Sequence, residues 1–145
     1  MNAPLYNADI LRLATEIPHH ERLPAPMATV EKRSPICGSR VTVDVDVDDD
    51  GRVSAIGLLV RACALGQASS ALLGASVLGR TPEEITAARD SLTAWLAREG
   101  AAPDWPGIDV FTPALDYPAR HASIRLAFEA AAEAADAART AHAHA

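Results

Sequence analysis

The chain has 145 residues, 49% of them hydrophobic and 22% charged, with a net charge of −6. That length supports one domain, 1–145, with a core that needs no disulfide staples. An acidic balance with no Lys/Arg cluster excludes phosphate-neutralising nucleic-acid binding, and no apolar run reaches the length of a membrane span.

Met1-Asn2-Ala3-Pro4 shows no positive region ahead of an apolar stretch, so a cytoplasmic protein with reduced thiols is expected. Residues 1–6 are read as a flexible lead. Asn7 to Ile17 reads as a short helix: Asn7 is a cap, and Ile10, Leu11, Ala14 and Ile17 keep helical spacing up to Pro18. His19-His20-Glu21-Arg22 opens a Pro-rich connector. Neighbouring histidines in a loop rarely converge on one ion, and a solvated loop is expected there. Ala28 to Lys32 reads as an edge strand. Arg40 to Asp48 alternates, with Val41, Val43, Val45 and Val47 on one face and Thr42, Asp44, Asp46 and Asp48 on the other. This is the pattern of a half-buried strand with a wet aspartate face. Asp50-Gly51 is a hairpin signal, and Val53 to Arg61 returns as a more apolar and therefore more central strand. Asp46 to Gly51 matches the opening of an EF-hand loop. The twelfth position, which must supply a bidentate carboxylate, is Gly57, so calcium is not expected.

From Ala62 to about Leu78 the period becomes helical and rich in small residues. Thr81-Pro82-Glu83-Glu84 is a capping box with proline at the first helical position, and its helix is read as ending at Gly100. Ala101 to Pro113 reads as an irregular connector. Asp116-Tyr117-Pro118 opens a last helix to Arg139, whose Ala-rich second half is helical by propensity more than by packing. Residues 140–145 read as a frayed tail in which His142 and His144 are incidental. The order of elements predicts an α+β fold, a three-stranded antiparallel sheet with helices packed on it.

The only two cysteines, Cys37 and Cys63, are 26 residues apart and flank the hairpin. Cys37 precedes the outgoing strand in a turn with Gly38. Cys63 follows the returning strand at a predicted helix start, where the partial positive charge suits an anionic sulfur. A hairpin brings those ends together, so the sulfurs are expected near one another as half of a soft-metal or iron–sulfur site. Two unrelated, partly buried cysteines are the open alternative.

Ile36-Cys37-Gly38 before an alternating strand, and Arg61-Ala62-Cys63-Ala64-Leu65-Gly66-Gln67-Ala68-Ser69-Ser70 at a helix start, resemble the U-type iron–sulfur cluster assembly scaffolds of the IscU, SufU and NifU N-terminal type. The resemblance runs from Leu5 to Ala138, and the long segment between Cys63 and the last helix is similar to the SufU branch. It implies three cysteines and an aspartate holding zinc or a nascent cluster. Cys37 and Cys63 match two of those ligands. The aspartate position is Ser39, and the third cysteine position falls on Ser123, with His121 close by. A serine hydroxyl is a weak ligand beside thiolate or carboxylate. His121 could complete a site on one chain, or two protomers could each give two thiolates to one [2Fe–2S] cluster.

The resemblance thus implies a carrier, not an enzyme: a protein that binds iron, zinc or a transient iron–sulfur cluster through Cys37 and Cys63. It would accept sulfur from a cysteine desulfurase and pass the cluster to apo-protein acceptors. Two other readings stay open. One is a degenerate relative that binds a partner without metal; the other is a redox switch in which Cys37 and Cys63 form a reversible disulfide.

Overall fold

The computed structural model describes residues 4–35 and 38–144. Cys37, one of the two expected sulfur ligands, lies outside the described residues. Helix α1 (Ala8–Ala14) is capped as its sequence demands, the Asn7 side chain accepting from the Ile10 N–H, and it ends well short of Pro18. Strands β1 (Ala28–Arg33), β2 (Arg40–Val47) and β3 (Val53–Arg61) form an antiparallel sheet in the order β1-β2-β3. Helices α2 (Ala64–Ser76), α3 (Pro82–Leu96) and α4 (His121–Ala143) follow, with 3-10 segments at Ile108–Asp116 and Pro118–Arg120 before α4. This is the expected α+β architecture. No helix among the described residues is long and apolar enough to cross a membrane.

β2, not β3, is the central strand. β3 is apolar for another reason. The connector lies along it: the Leu58 N–H donates to the His19 carbonyl at 2.9 Å and the Val60 N–H to His20 Nε2 at 3.4 Å. An edge covered in this way can carry apolar residues without exposing them to aggregation.

Both faces of the sheet are covered. Val41, Val43, Val45 and Val47 lie in the same core as the alanine face of α4, and Lys32 on this side reaches Glu133 of α4 at 2.7 Å. The other face carries the connector. Asp44 is completely buried there, which corrects the expectation of a wet aspartate face. Its carboxylate accepts from Arg22 Nε at 2.7 Å and Nη2 at 3.0 Å, from the Leu23 N–H at 2.9 Å and from the Thr29 hydroxyl at 2.6 Å. Gly57, the cross-strand neighbour of Asp44, makes the crossing possible. A Cβ there would stand 2.5 Å from the Glu21 carbonyl oxygen.

α4 is the central helix. Ala130, Ala131, Ala132, Ala134, Ala135 and Ala138 are all buried, so packing holds its second half as well as propensity. α4 continues through Ala143, and His142 Nε2 lies 3.1 Å from Asp49 at the hairpin tip. α3 starts on its capping box and ends at Leu96, with Ala97 as its C-cap. Arg98 takes the left-handed conformation there (φ 60°), two residues before the expected Gly100. The stretch expected to be irregular is partly ordered by burial. The Trp105 N–H donates to the Leu72 carbonyl at 2.8 Å, its ring meets Phe128 edge-on, and Phe111 and Ala114 are buried.

Candidate metal centre

Residues at one end of the sheet make the candidate centre. Arg40 pairs with Arg61, so Gly38-Ser39 and Ala62-Cys63 leave β2 and β3 side by side. The loop between β1 and β2 is pinched shut by its serines: the Ser34 N–H donates to the Ser39 carbonyl at 2.8 Å and the Gly38 N–H to the Ser34 carbonyl at 3.3 Å. Gly38 has φ +72°, a conformation that side chains resist. Ser39 is 3% exposed. Beside it the Ser34 hydroxyl is buried with no hydrogen-bond partner among the described residues.

Cys63 is the N-cap residue of α2, half-buried, its thiol free. The Cys63 side chain makes no capping hydrogen bond at this helix start. Its first-turn amides therefore leave donors at the end where Cys63 sits, a setting that suits an anionic ligand. α2 is held close to the start of α4 by small residues. A Cβ on Gly66 would lie 3.3 Å from the Ser123 carbonyl oxygen and 3.8 Å from the Ser123 Cβ, and the Ser69 hydroxyl donates to the Ile124 carbonyl at 2.6 Å. This contact brings Ser123, 3% exposed, up to the turn that Cys63 heads.

His121 opens α4 and is 7% exposed. Its Nε2 is 2.7 Å from the Ala114 carbonyl oxygen. A carbonyl only accepts, so Nε2 carries the hydrogen, and in the neutral ring Nδ1 is the nitrogen left to act as a ligand. A second-shell bond from one ring nitrogen to a backbone carbonyl is how proteins orient metal-binding imidazoles. The same bond also serves to seat the start of α4 on the preceding 3-10 segment.

The described residues thus carry one thiol at the start of α2, one oriented imidazole at the start of α4, and two buried serines, Ser39 and Ser123. Among them no three His, Cys, Asp or Glu side chains converge into a metal site. An iron–sulfur cluster held by thiolate alone takes four such donors. Sequence reasoning missed the buried Ser34 and the close approach at Gly66. The first had a visible signal, a serine on each side of the Cys37 turn; the second shows only once α2 and α4 are packed.

No protein-family model matches the chain. No curated protein matches it either. Solved structures do. The chain superposes on a nitrogen-fixing NifU-like protein (N-terminal) from Brucella abortus with a TM-score of 0.87 and 39% identity, over 94% of this chain and 95% of that one. It superposes on a protein assigned as iron–sulfur cluster assembly scaffold for the SUF system of Fervidobacterium islandicum AW-1 with a TM-score of 0.83, over 90% of this chain and 96% of that one. At 18% identity the second likeness speaks for the fold alone.

Proposed function

The chain belongs to the NifU-like N-terminal family, and from that premise we propose that it is a scaffold of iron–sulfur cluster assembly whose cargo, iron or a nascent cluster, is held through Cys37 and Cys63. The observation that carries this reading is the Arg40–Arg61 pairing, which sets Gly38-Ser39, the residues that follow Cys37 in the chain, beside Ala62-Cys63. Thiolates are the soft donors that iron–sulfur clusters take.

Sulfur would arrive from a cysteine desulfurase by thiol exchange. The Cys63 thiolate attacks the outer sulfur of the donor's persulfide, a new S–S bond forms on Cys63, the donor's S–S bond breaks and the donor cysteine leaves as thiolate. Nothing is turned over on the chain, so it is a carrier and not an enzyme. With Ser39 and Ser123 as weak donors, the full ligand set of a [2Fe–2S] cluster comes from two copies of the chain, two thiolates each. His121, through Nδ1, is a further ligand the chain can bring, and iron or zinc is the ion it would serve.

The burial of Ser39 and Ser123 at expected ligand positions favours a second reading, a family member that keeps its fold to bind the same partners without metal. The two part at sulfur transfer. The reduced protein is incubated with a cysteine desulfurase and free cysteine, and its intact mass is recorded. A gain of one sulfur atom, absent in Cys37→Ser/Cys63→Ser, is the expected result. A mass unchanged in the wild type overturns the carrier reading.

A further inference from the structure

The three strands meet the cysteine end of the sheet in a row of like charge. Arg33 faces Arg40 across β1 and β2, and Arg40 faces Arg61 across β2 and β3. Directly opposed residues share a face with Cβ atoms about 5 Å apart, and like charges in that relation destabilise the ladder. This occurs in a chain of net charge −6, so the local field has the opposite sign to the molecule's. Among the described residues the carboxylate that answers it is Glu31, 3.2 Å from Arg33 Nη2 and 3.6 Å from Arg40 Nε. Arg61 is exposed and makes no ion pair among the described residues. The connector crosses this face at Asp44 and Gly57, and beyond the crossing Arg33 and Arg61 are exposed. Leu59, in the adjoining row with Thr42 and Glu31, is one of the chain's exposed large apolar side chains.

We propose that the Arg33–Arg40–Arg61 row, with Leu59 beside it, is a docking surface for an acidic, extended segment of a partner protein. Adjacent strands are about 4.8 Å apart, so the outer arginines of the row are about 10 Å apart. Same-side residues of an extended segment recur about every 7 Å, and long arginine side chains adapt to that spacing. Each guanidinium offers a carboxylate a two-pronged hydrogen bond. A second copy of this chain is the wrong occupant, because a two-fold contact through this face would set arginine row against arginine row. Nucleic acid fits poorly, since the row is short and the rest of the surface is acidic. The inference stands on register and charge and does not depend on the chain's holding a cluster.

The test is fluorescence anisotropy at low salt with a short labelled peptide of alternating glutamate and serine. The wild type should bind it, Arg33→Gln/Arg61→Gln should bind roughly tenfold more weakly, and Arg61→Lys should retain most of the affinity. Arg52→Gln/Arg98→Gln, which removes the same charge elsewhere, should bind as the wild type does. The Arg33/Arg61 double variant should melt at or above the wild-type temperature, since it relieves repulsion. Equal losses in the two double variants, or no binding by the wild type, would overturn the proposal. So would tighter binding of an oligothymidylate through the same arginines, which would give the row to nucleic acid.

Discussion

Asp44 shows how one side chain ties the fold together. Burial alone pushes its carboxyl up, but the hydrogen bonds from Arg22, Thr29 and Leu23 outweigh that and hold it below the ordinary carboxylate range. A carboxyl lowered in the folded state adds stability that is fully present above its unfolded value, near 4, and is lost as pH falls through the folded value. Urea unfolding should therefore be flat between neutral pH and about pH 5 for this group and weaken below about pH 4. Asp44→Asn should cost about 3 kcal/mol at neutral pH and flatten that acid dependence. An unchanged urea midpoint in the variant would show that the connector is held by something else. Gly57→Ala, which sets a methyl against the Glu21 carbonyl, should lose on the order of 2 kcal/mol in the same measurement. The alternation of β2 was legible in the sequence, and so was its register of inner valines. The burial of Asp44 was not, because its partners come from Arg22, Leu23 and Thr29, and residue spacing within a strand says nothing of what is laid across it.

Elements with a local chemical signal were readable to within a few residues. Asn7, the Thr81 capping box and the Asp50-Gly51 turn each act through neighbouring groups, which is why α1, α3 and the hairpin follow from the chain alone. Elements made by distant contacts were not. Ile108–Asp116 contains Pro113 and carries no helical stripe long enough to announce itself; it is ordered where Phe111 and Ala114 enter the core. α4 is the instructive case. Its alanines resemble filler, yet they are the small residues that let one helix lie against the sheet, α2 and α3. Ala131→Leu should consequently destabilise the protein by about 1–3 kcal/mol in thermal or urea unfolding, since overfilling a closed core forces its neighbours apart. A neutral or stabilising result would mean the α4 seam is loosely packed.

At the scale of the molecule, the family was legible in the sequence through the likeness of the segments around Cys37 and Cys63 to the U-type scaffolds. Ser39 and Ser123, the positions where that likeness implies an aspartate and a third cysteine, are both buried. Restoring the donors should then restore a site: Ser39→Asp/Ser123→Cys should retain about one zinc per chain after purification, and the wild type distinctly less. Equal zinc in the two would mean these positions do not face the cysteines. The claim on which the account turns is that the chain as it stands carries iron through Cys37 and Cys63. Anaerobic reconstitution of the reduced protein with iron and sulfide, read as iron per chain with the visible spectrum, tests it most directly. About one iron per chain is expected, the share of a [2Fe–2S] cluster held between two copies, and its loss in Cys37→Ser and in Cys63→Ser. No bound iron in the wild type, or iron that survives both substitutions, would contradict it.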